Sequence, residues 1–271
     1  MKKFLTSKNY EHLPLECFNE NKVWNIVYPY RIPKENIDNC YELRNSFRSI
    51  YKNFKGDFKI TLIGDIPDWV NRKEVICIEL DNLKITAQRQ TKINEKIMKA
   101  TEYYDDFIVF NDDIYILKET KPFEFCIPRI HQTNLGNREF NTIFEKQTFN
   151  TIKELEKINI FNKLNTVVHC PYWYQSEKIE EINKKISFTP YGDKSVVFEV
   201  LYFNYFDYFT LFSKKAKGFR VGCYNTKNEK IIREKLKDAI IFNHDENGFR
   251  KNPWIIDILK NKFPEKCLGE I

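Results

Sequence analysis

The chain of 271 residues carries 44 Lys and Arg against 38 Asp and Glu, a net charge of +6, and includes 23 Phe, 15 Tyr and 4 Trp. That aromatic load excludes a disordered chain, and the length suffices to bury roughly 70–75% of the unfolded surface. Only 8 Gly are present, none spaced for a dinucleotide fingerprint or a P-loop, and the mild positive charge falls short of a nucleic-acid footprint.

In chain order, Val23 to Tyr28 reads as a buried strand that runs into a Pro-punctuated loop at 29–33. Cys40, Leu43, Phe47, Ile50, Tyr51 and Phe54 mark the apolar face of a helix. Phe58 to Ile63 is a second strand ended by Gly64-Asp65, and Val75 to Leu80 a third. Ile93, Ile97 and Ala100 suit a helix, and Phe107 to Phe110 is a fourth strand. Such alternation predicts an α/β, Rossmann-like fold with a mostly parallel sheet, in which ligands gather at the carboxyl ends of the strands. Tyr28, Asp65 and Asp112 fall on that rim.

After about residue 120 the pattern turns helical, with segments near 141–161, 176–186, 196–212, 227–238 and 253–262. Within 195–212, Phe198, Tyr202, Tyr205, Phe209 and Phe212 recur at helical spacing. Glu199, Asn204 and Asp207 interrupt that stretch, which falls short of the ~20 apolar residues a membrane span needs. A core helix is expected, with peripheral membrane contact as the alternative. Seven cysteines are scattered without C-x-x-C spacing, and no apolar signal core follows the first residues. Both features predict a cytoplasmic, reducing location. The four histidines, His12, His131, His169 and His244, are too far apart in sequence for a helical zinc pair.

Chemistry concentrates at Phe107-Ile-Val-Phe-Asn-Asp112-Asp113-Ile-Tyr-Ile, where two acids interrupt a hydrophobic run. Unpaired carboxylates are costly there, and a divalent cation is a natural counter-charge. Mg²⁺ or Mn²⁺ binds through one or two such groups and shares its other positions with water and phosphates. The alternative is a plain Asn-Asp-Asp turn. His169 follows the apolar pair Val167-Val168 and reads either as a hydrogen-bonded structural residue or as a general base for an attacking hydroxyl. Arg44 and Arg48 lie one helical turn apart and can project together, toward a pyrophosphate or into surface ion pairs. Asp65 ends a strand at the same rim, as a nucleotide contact or as a turn acid before Pro67.

Five blocks carry a resemblance. They are Glu42-Leu-Arg44-Asn-Ser46-Phe-Arg48-Ser49-Ile50, Ile60-Thr-Leu-Ile-Gly-Asp65-Ile-Pro-Asp-Trp69, Asn111-Asp112-Asp113-Ile-Tyr115, His169-Cys-Pro171-Tyr172 and Phe263-Pro264-Glu-Lys-Cys267. In this order they resemble the Stealth family of nucleotide-sugar-dependent sugar-phosphate transferases, known for building capsular polysaccharides. The two-acid strand end is also similar to that of GT-A glycosyltransferases. The opening block departs from the family, because Trp24-Asn25-Ile-Val-Tyr28-Pro-Tyr30-Arg31 lacks its two acids and brings the positive Arg31. Glycosyl transfer and sugar-phosphate transfer are therefore both open.

The resemblance implies a single transferase domain over 1–271, GT-A-like in fold. Its nucleotide-sugar-binding half spans about 20–120, and a mainly helical acceptor-side half spans 121–271. A nucleoside-diphosphate sugar, a UDP-sugar by expectation, is the implied donor. Asp112 and Asp113 would hold Mg²⁺ or Mn²⁺, with Asp113 catalytic. Tyr28, Arg31, Arg44 and Asp65 would seat the nucleotide, and His169 would activate the acceptor hydroxyl. A surface or capsular glycan is the expected acceptor. Hydroxymethylated bases of phage DNA are an alternative acceptor, and a non-catalytic glycan-binding role is a third reading.

Overall fold

The computed structural model describes residues 13–33, 41–80, 89–131, 135, 142–188, 195–206, 213–225 and 227–271. His12, Cys40, Phe209 and Phe212 lie outside them. The central sheet holds β1 (Trp24–Tyr30), β2 (Phe58–Gly64), β3 (Val75–Glu79), β4 (Asp106–Val109) and, later in the chain, β7 (Tyr172–Gln175), in the order β3-β2-β1-β4-β7. The first four run parallel and β7 antiparallel. The long parallel strands are buried, as the near-continuous apolar runs Ile60–Ile63 and Phe107–Ile108 require.

β1 continues two residues beyond its predicted end, through Pro29 and Tyr30, which pair with Ile63 and Gly64 of β2. On its other side β4 pairs only with Ile26 and Val27, and a proline is tolerated where one side of a strand has no ladder partner.

α1 (Tyr41–Asn53) buries Leu43, Phe47 and Ile50 against the sheet. It also presents polar groups to a short strand, β5 (Ile114–Ile116). Ser46 Oγ donates to the Ile114 carbonyl at 2.6 Å, Ser49 Oγ accepts from Ile116 N at 3.0 Å, and Asn53 Nδ2 donates to the Ile116 carbonyl at 2.6 Å. Serines three residues apart thus satisfy buried strand backbone that has no sheet neighbour on that side.

α2 (Arg89–Thr101) buries Ile97 and Ala100, with the polar Thr91, Asn94 and Lys96 beside them. Asn94 Nδ2 donates to the carbonyls of Phe188 and Val196, each at 2.9 Å, which ties the later chain to this helix.

The second half supplies α3 (Ile143–Lys157), α4 (Ser176–Asn183), α5 (Phe198–Tyr205), α6 (Glu229–Leu236), α7 (Glu246–Lys251) and α8 (Trp254–Lys262). Thr142 and Glu145 form a reciprocal cap that fixes the start of α3. α5 is a core helix: Phe198, Tyr202, Phe203 and Tyr205 are buried. No helix among the described residues is long and apolar enough to cross a membrane. This half also contributes strands that the periodicity left unassigned. β7 borders β4, β6 (Arg129–Ile130) pairs with β8 (Lys214–Lys215), and β9 (Arg220–Cys223) and β10 (Ile241–His244) join β5 in a second sheet ordered β5-β10-β9. These strands span two to four residues, too short to display a two-residue period.

Candidate functional site

In the central sheet the strand order reverses at β1, whose neighbours are β2 on one side and β4 on the other. In open parallel sheets, ligands bind in the crevice outside the carboxyl ends at such a point. Three segments meet there: Tyr30–Ile32 at the end of β1, Gly64-Asp65 at the end of β2, and Phe110–Asp113 after β4.

Gly64 makes this junction tight. Its φ of +122° excludes an ordinary side chain, and a Cβ would lie 2.2 Å from the Tyr30 carbonyl and 2.6 Å from Lys96 Nζ. Asp65 then turns back to β1, its Oδ2 accepting from Ile32 N at 2.9 Å. Arg31 is exposed at the same turn.

Asp112 and Asp113, both half-buried, occupy the corner where the chain leaves the central sheet and enters the second one. Asn243 of β10 pairs with Ile114 in antiparallel register, which brings the end of β10 up to the residue after Asp113. Asp112 is within electrostatic reach of Tyr28 and Lys96, and Asp113 of Tyr115 and Arg220.

Lys96 is the residue that sequence reasoning missed. Its ammonium is buried and donates to the Tyr30 carbonyl at 2.5 Å. Burial lowers its pKa to about 8; Asp65 and Asp112 work against that shift, and Arg31 and Lys92 with it. The signal was available, since Lys96 sits on the same face of α2 as Ile93, Ile97 and Ala100. A lysine on the apolar face of a helix has to be buried by something.

The expected residues do not all reach the rim in the same way. Arg31, Asp65, Asp112 and Asp113 surround it. Tyr28 lies beneath, fully buried, and its hydroxyl donates to Ser46 Oγ at 2.7 Å. Burial raises its pKa well above the usual phenol value.

Arg44 turns the other way. Its Nη1 donates to Glu270 at 3.1 Å, and its guanidinium lies 4.3 Å over the Trp69 ring. Arg48 binds the same carboxylate through Nε at 2.6 Å and Nη2 at 2.8 Å. The two arginines do project together, as their spacing predicts, but onto an acid near the far end of the chain.

His169 is exposed and adopts φ +46°, a left-handed conformation uncommon outside glycine. Its ring lies 5.5 Å from that of Tyr224. It also borders a cavity of about 220 Å³ shared with Phe144, Glu145, Thr148 and Val167. Next to it, Cys170 is buried and its thiol is pushed up to about 11, which removes it as a nucleophile at neutral pH.

His244 is wholly buried. Nε2 lies 2.9 Å from the Tyr115 hydroxyl, and Nδ1 lies 3.3 Å from the Asp245 carbonyl and 3.5 Å from Glu42. Burial lowers its pKa to about 4. Its neutral form therefore contributes stability that is complete above the unfolded value of ~6.5 and is lost as pH falls through about 4, on the order of 3 kcal/mol. His244→Phe should flatten the fall in melting temperature between pH 6.5 and 4 relative to the parent, read by thermal unfolding across that range. Glu199, pushed up to about 7 by burial, acts in the opposite sense, so the difference between the two proteins is the informative quantity. Equal slopes would refute the assignment.

Among the described residues, no group of three His, Cys, Asp or Glu side chains forms a ready cage for a metal ion. Asp112 and Asp113 offer hard carboxylate oxygens at one corner. That donor set fits an ion which takes one or two protein ligands and fills its remaining positions with water and substrate phosphate.

No protein-family model and no curated protein matches the sequence. Solved structures do. A WbbM bifunctional glycosyltransferase, in its apo form, superposes with TM-score 0.52 at 9% identity, over 91% of this chain and 50% of that one. The galactosyltransferase LgtC, solved with donor and acceptor sugar analogues, matches at TM-score 0.44 and 9% identity over 90% and 98% of the two chains. A glycosyltransferase involved in glycosylation of the PBCV-1 major capsid gives 0.44 and 10% over 88% and 100%. The Stealth resemblance has no counterpart among these matches. At such identities the likeness is one of fold: this chain has the mixed α/β, mostly parallel architecture of a GT-A-like glycosyltransferase.

Proposed function

We propose that this chain is a glycosyltransferase or sugar-phosphate transferase that takes a nucleoside-diphosphate sugar, a UDP-sugar by preference, and passes the sugar, or the sugar 1-phosphate, to a hydroxyl of a glycan. The observation that carries the reading is the convergence of Asp112, Asp113, Arg31, Asp65 and buried Lys96 at the strand-order reversal, with His169 exposed near the second sheet. The GT-A-like fold supports it.

In this reading Asp112 and Asp113 hold Mg²⁺ or Mn²⁺, which when bound neutralises charge on the diphosphate. Lys96 adds fixed positive charge beneath the rim, and Asp65 holds the Tyr30–Ile32 turn in shape through its bond to Ile32 N. Arg31, exposed at that turn, is placed to meet the nucleotide. Tyr28 supports the floor by fixing Ser46, and through it β5. His169 takes the proton from the acceptor hydroxyl at an imidazole nitrogen. Arg44 serves the site indirectly, by anchoring the chain end to α1. The acceptor reading rests on carbohydrate, and a surface glycan is the favoured class.

The test is to incubate the protein with a panel of nucleotide sugars, with Mn²⁺, Mg²⁺ or a chelator, and to identify the released nucleotide by chromatography. Release of the nucleoside diphosphate identifies glycosyl transfer, and release of the monophosphate identifies sugar-phosphate transfer. With glycan acceptors supplied, no release under any condition would reject the reading in favour of a glycan-binding protein.

A further inference from the structure

Arg220, at the start of β9, is a largely buried cation in an unusually prepared setting. Its Nε donates to Asn243 Oδ1 at 2.6 Å, and its guanidinium carbon lies 5.1 Å from the centre of the Tyr224 ring. The Tyr224 hydroxyl is itself within 3.0 Å of Asn243 Nδ2. Two residues along, Gly222 leaves space for the pair. A Cβ there would fall 2.5 Å from Arg220 Nη2 and 2.7 Å from the Tyr224 ring. One edge of the guanidinium is thus fixed by Asn243 and one face by Tyr224.

Among the described residues no carboxylate lies within ion-pair distance of Arg220, whereas Arg44, Arg48, Arg72, Arg129 and Arg233 each have one. The acid whose charge reaches it is Asp113. A buried guanidinium without a contacting counter-ion costs several kcal/mol, and burial accordingly lowers its pKa. Such a cost is offset when an anion arrives, and the planar fork of Arg matches phosphate oxygens in pairs. Position agrees with this chemistry, since Tyr224 touches the ring of His169 and Asn243 is cross-strand from the residue after Asp113.

We infer that Arg220 is a catalytic residue that grips the diphosphate of the donor through its free Nη edge and takes up the negative charge that develops there as the sugar–phosphate linkage breaks. Asn243, Tyr224 and Gly222 are the positioning residues that hold its fork in place. This rests on the transferase reading above and adds a residue to that site.

The direct test is calorimetric titration of the protein with sodium pyrophosphate alone, alongside turnover of the donor sugar found in the panel. Arg220→Gln should weaken pyrophosphate binding roughly 10-fold or more, and Arg220→Lys by less. Gly222→Ala, which keeps the charge but displaces the fork, should also weaken it. In turnover, Arg220→Gln should lower kcat more than it raises KM, because the charge it meets grows in the transition state. Arg233→Gln, which removes an exposed pair with Glu229 on α6, should change neither measurement. A purely structural Arg220 would lower the melting temperature and leave pyrophosphate affinity per folded molecule unchanged.

Pyrophosphate affinity within twofold of the parent in folded Arg220→Gln, or no binding by the parent, overturns the inference. If Arg220→Gln fails to fold, Arg220→Lys and Gly222→Ala decide it in the same way. If the parent releases no nucleotide from any sugar, the transferase reading fails, while the titration still reports on Arg220 by itself.

Discussion

The Asp113→Asn protein is expected to fold like the parent and to release nucleotide from its sugar donor roughly 10²–10³-fold more slowly. The substitution keeps size and polarity at a half-buried corner between β4 and β5. The backbone there is fixed from elsewhere, by Phe110 N bonding to the Val27 carbonyl at 2.9 Å and by Ser46 gripping the Ile114 carbonyl. What changes is one formal charge, at the place where the reading puts the counter-charge to a cation–diphosphate pair. Asp112→Asn should act in the same direction, and chelation of divalent ions should reproduce either loss in the parent. Circular dichroism and a melting curve establish the fold, and nucleotide release at several Mn²⁺ concentrations measures the effect. A folded Asp113→Asn protein with full activity would remove Asp113 from the site.

A large effect on stability at neutral pH is expected at Glu270. Its carboxylate is wholly buried and accepts from Arg44, from Arg48 twice, and from Cys267 N at 3.2 Å. Burial by itself would raise the Glu270 pKa, but the bonds from Arg48 and Arg44 outweigh it and hold the carboxyl below its usual range.

Glu270→Gln leaves two arginines without their counter-charge. Breaking a fully buried pair costs about 3–5 kcal/mol. Each arginine side chain here remains 17% exposed, so water recovers part of that loss, and about 2–3 kcal/mol is expected. For a domain of this size that lowers the melting temperature by roughly 5–10 °C. Contacts nearby should loosen together, including the bond from Ile271 N to the Trp69 carbonyl at 2.9 Å and the stacking of Arg44 on Trp69. Thermal unfolding near neutral pH measures the change. A melting temperature within about 2 °C of the parent would mean that the cluster is dispensable.

Glu270 also shows why part of the candidate site was legible in the sequence and part was not. The pair Arg44 and Arg48 was readable as a unit because helical spacing dictates that such residues share a face. Which anion they share was not, because Glu270 lies more than 220 positions away along the chain. Asp112 and Asp113 stood out because acids at the end of an apolar strand contradict its local pattern. Lys96 breaks the pattern of its helix in the same way and was open to the same argument. Arg220 has no such local signature: in Lys-Gly-Phe-Arg220-Val-Gly it reads as an ordinary surface residue.

The sequence by itself determined α1, α2 and β1–β4, and with them the mostly parallel character of the sheet and the rim where Asp65 and Asp112 stand. Those elements are long enough for their apolar periods to show, and right-handed crossovers leave few ways to assemble them. Only the tertiary structure decided that β5 joins a second sheet by pairing with β10, that Arg44 faces Glu270, and that Arg220 comes within the electrostatic reach of Asp113. Each of these depends on residues more than a hundred positions apart, held by strands of three or four residues and by buried polar bonds. Such bonds form only once the hydrophobic core has brought their partners together, and no window of local sequence records them.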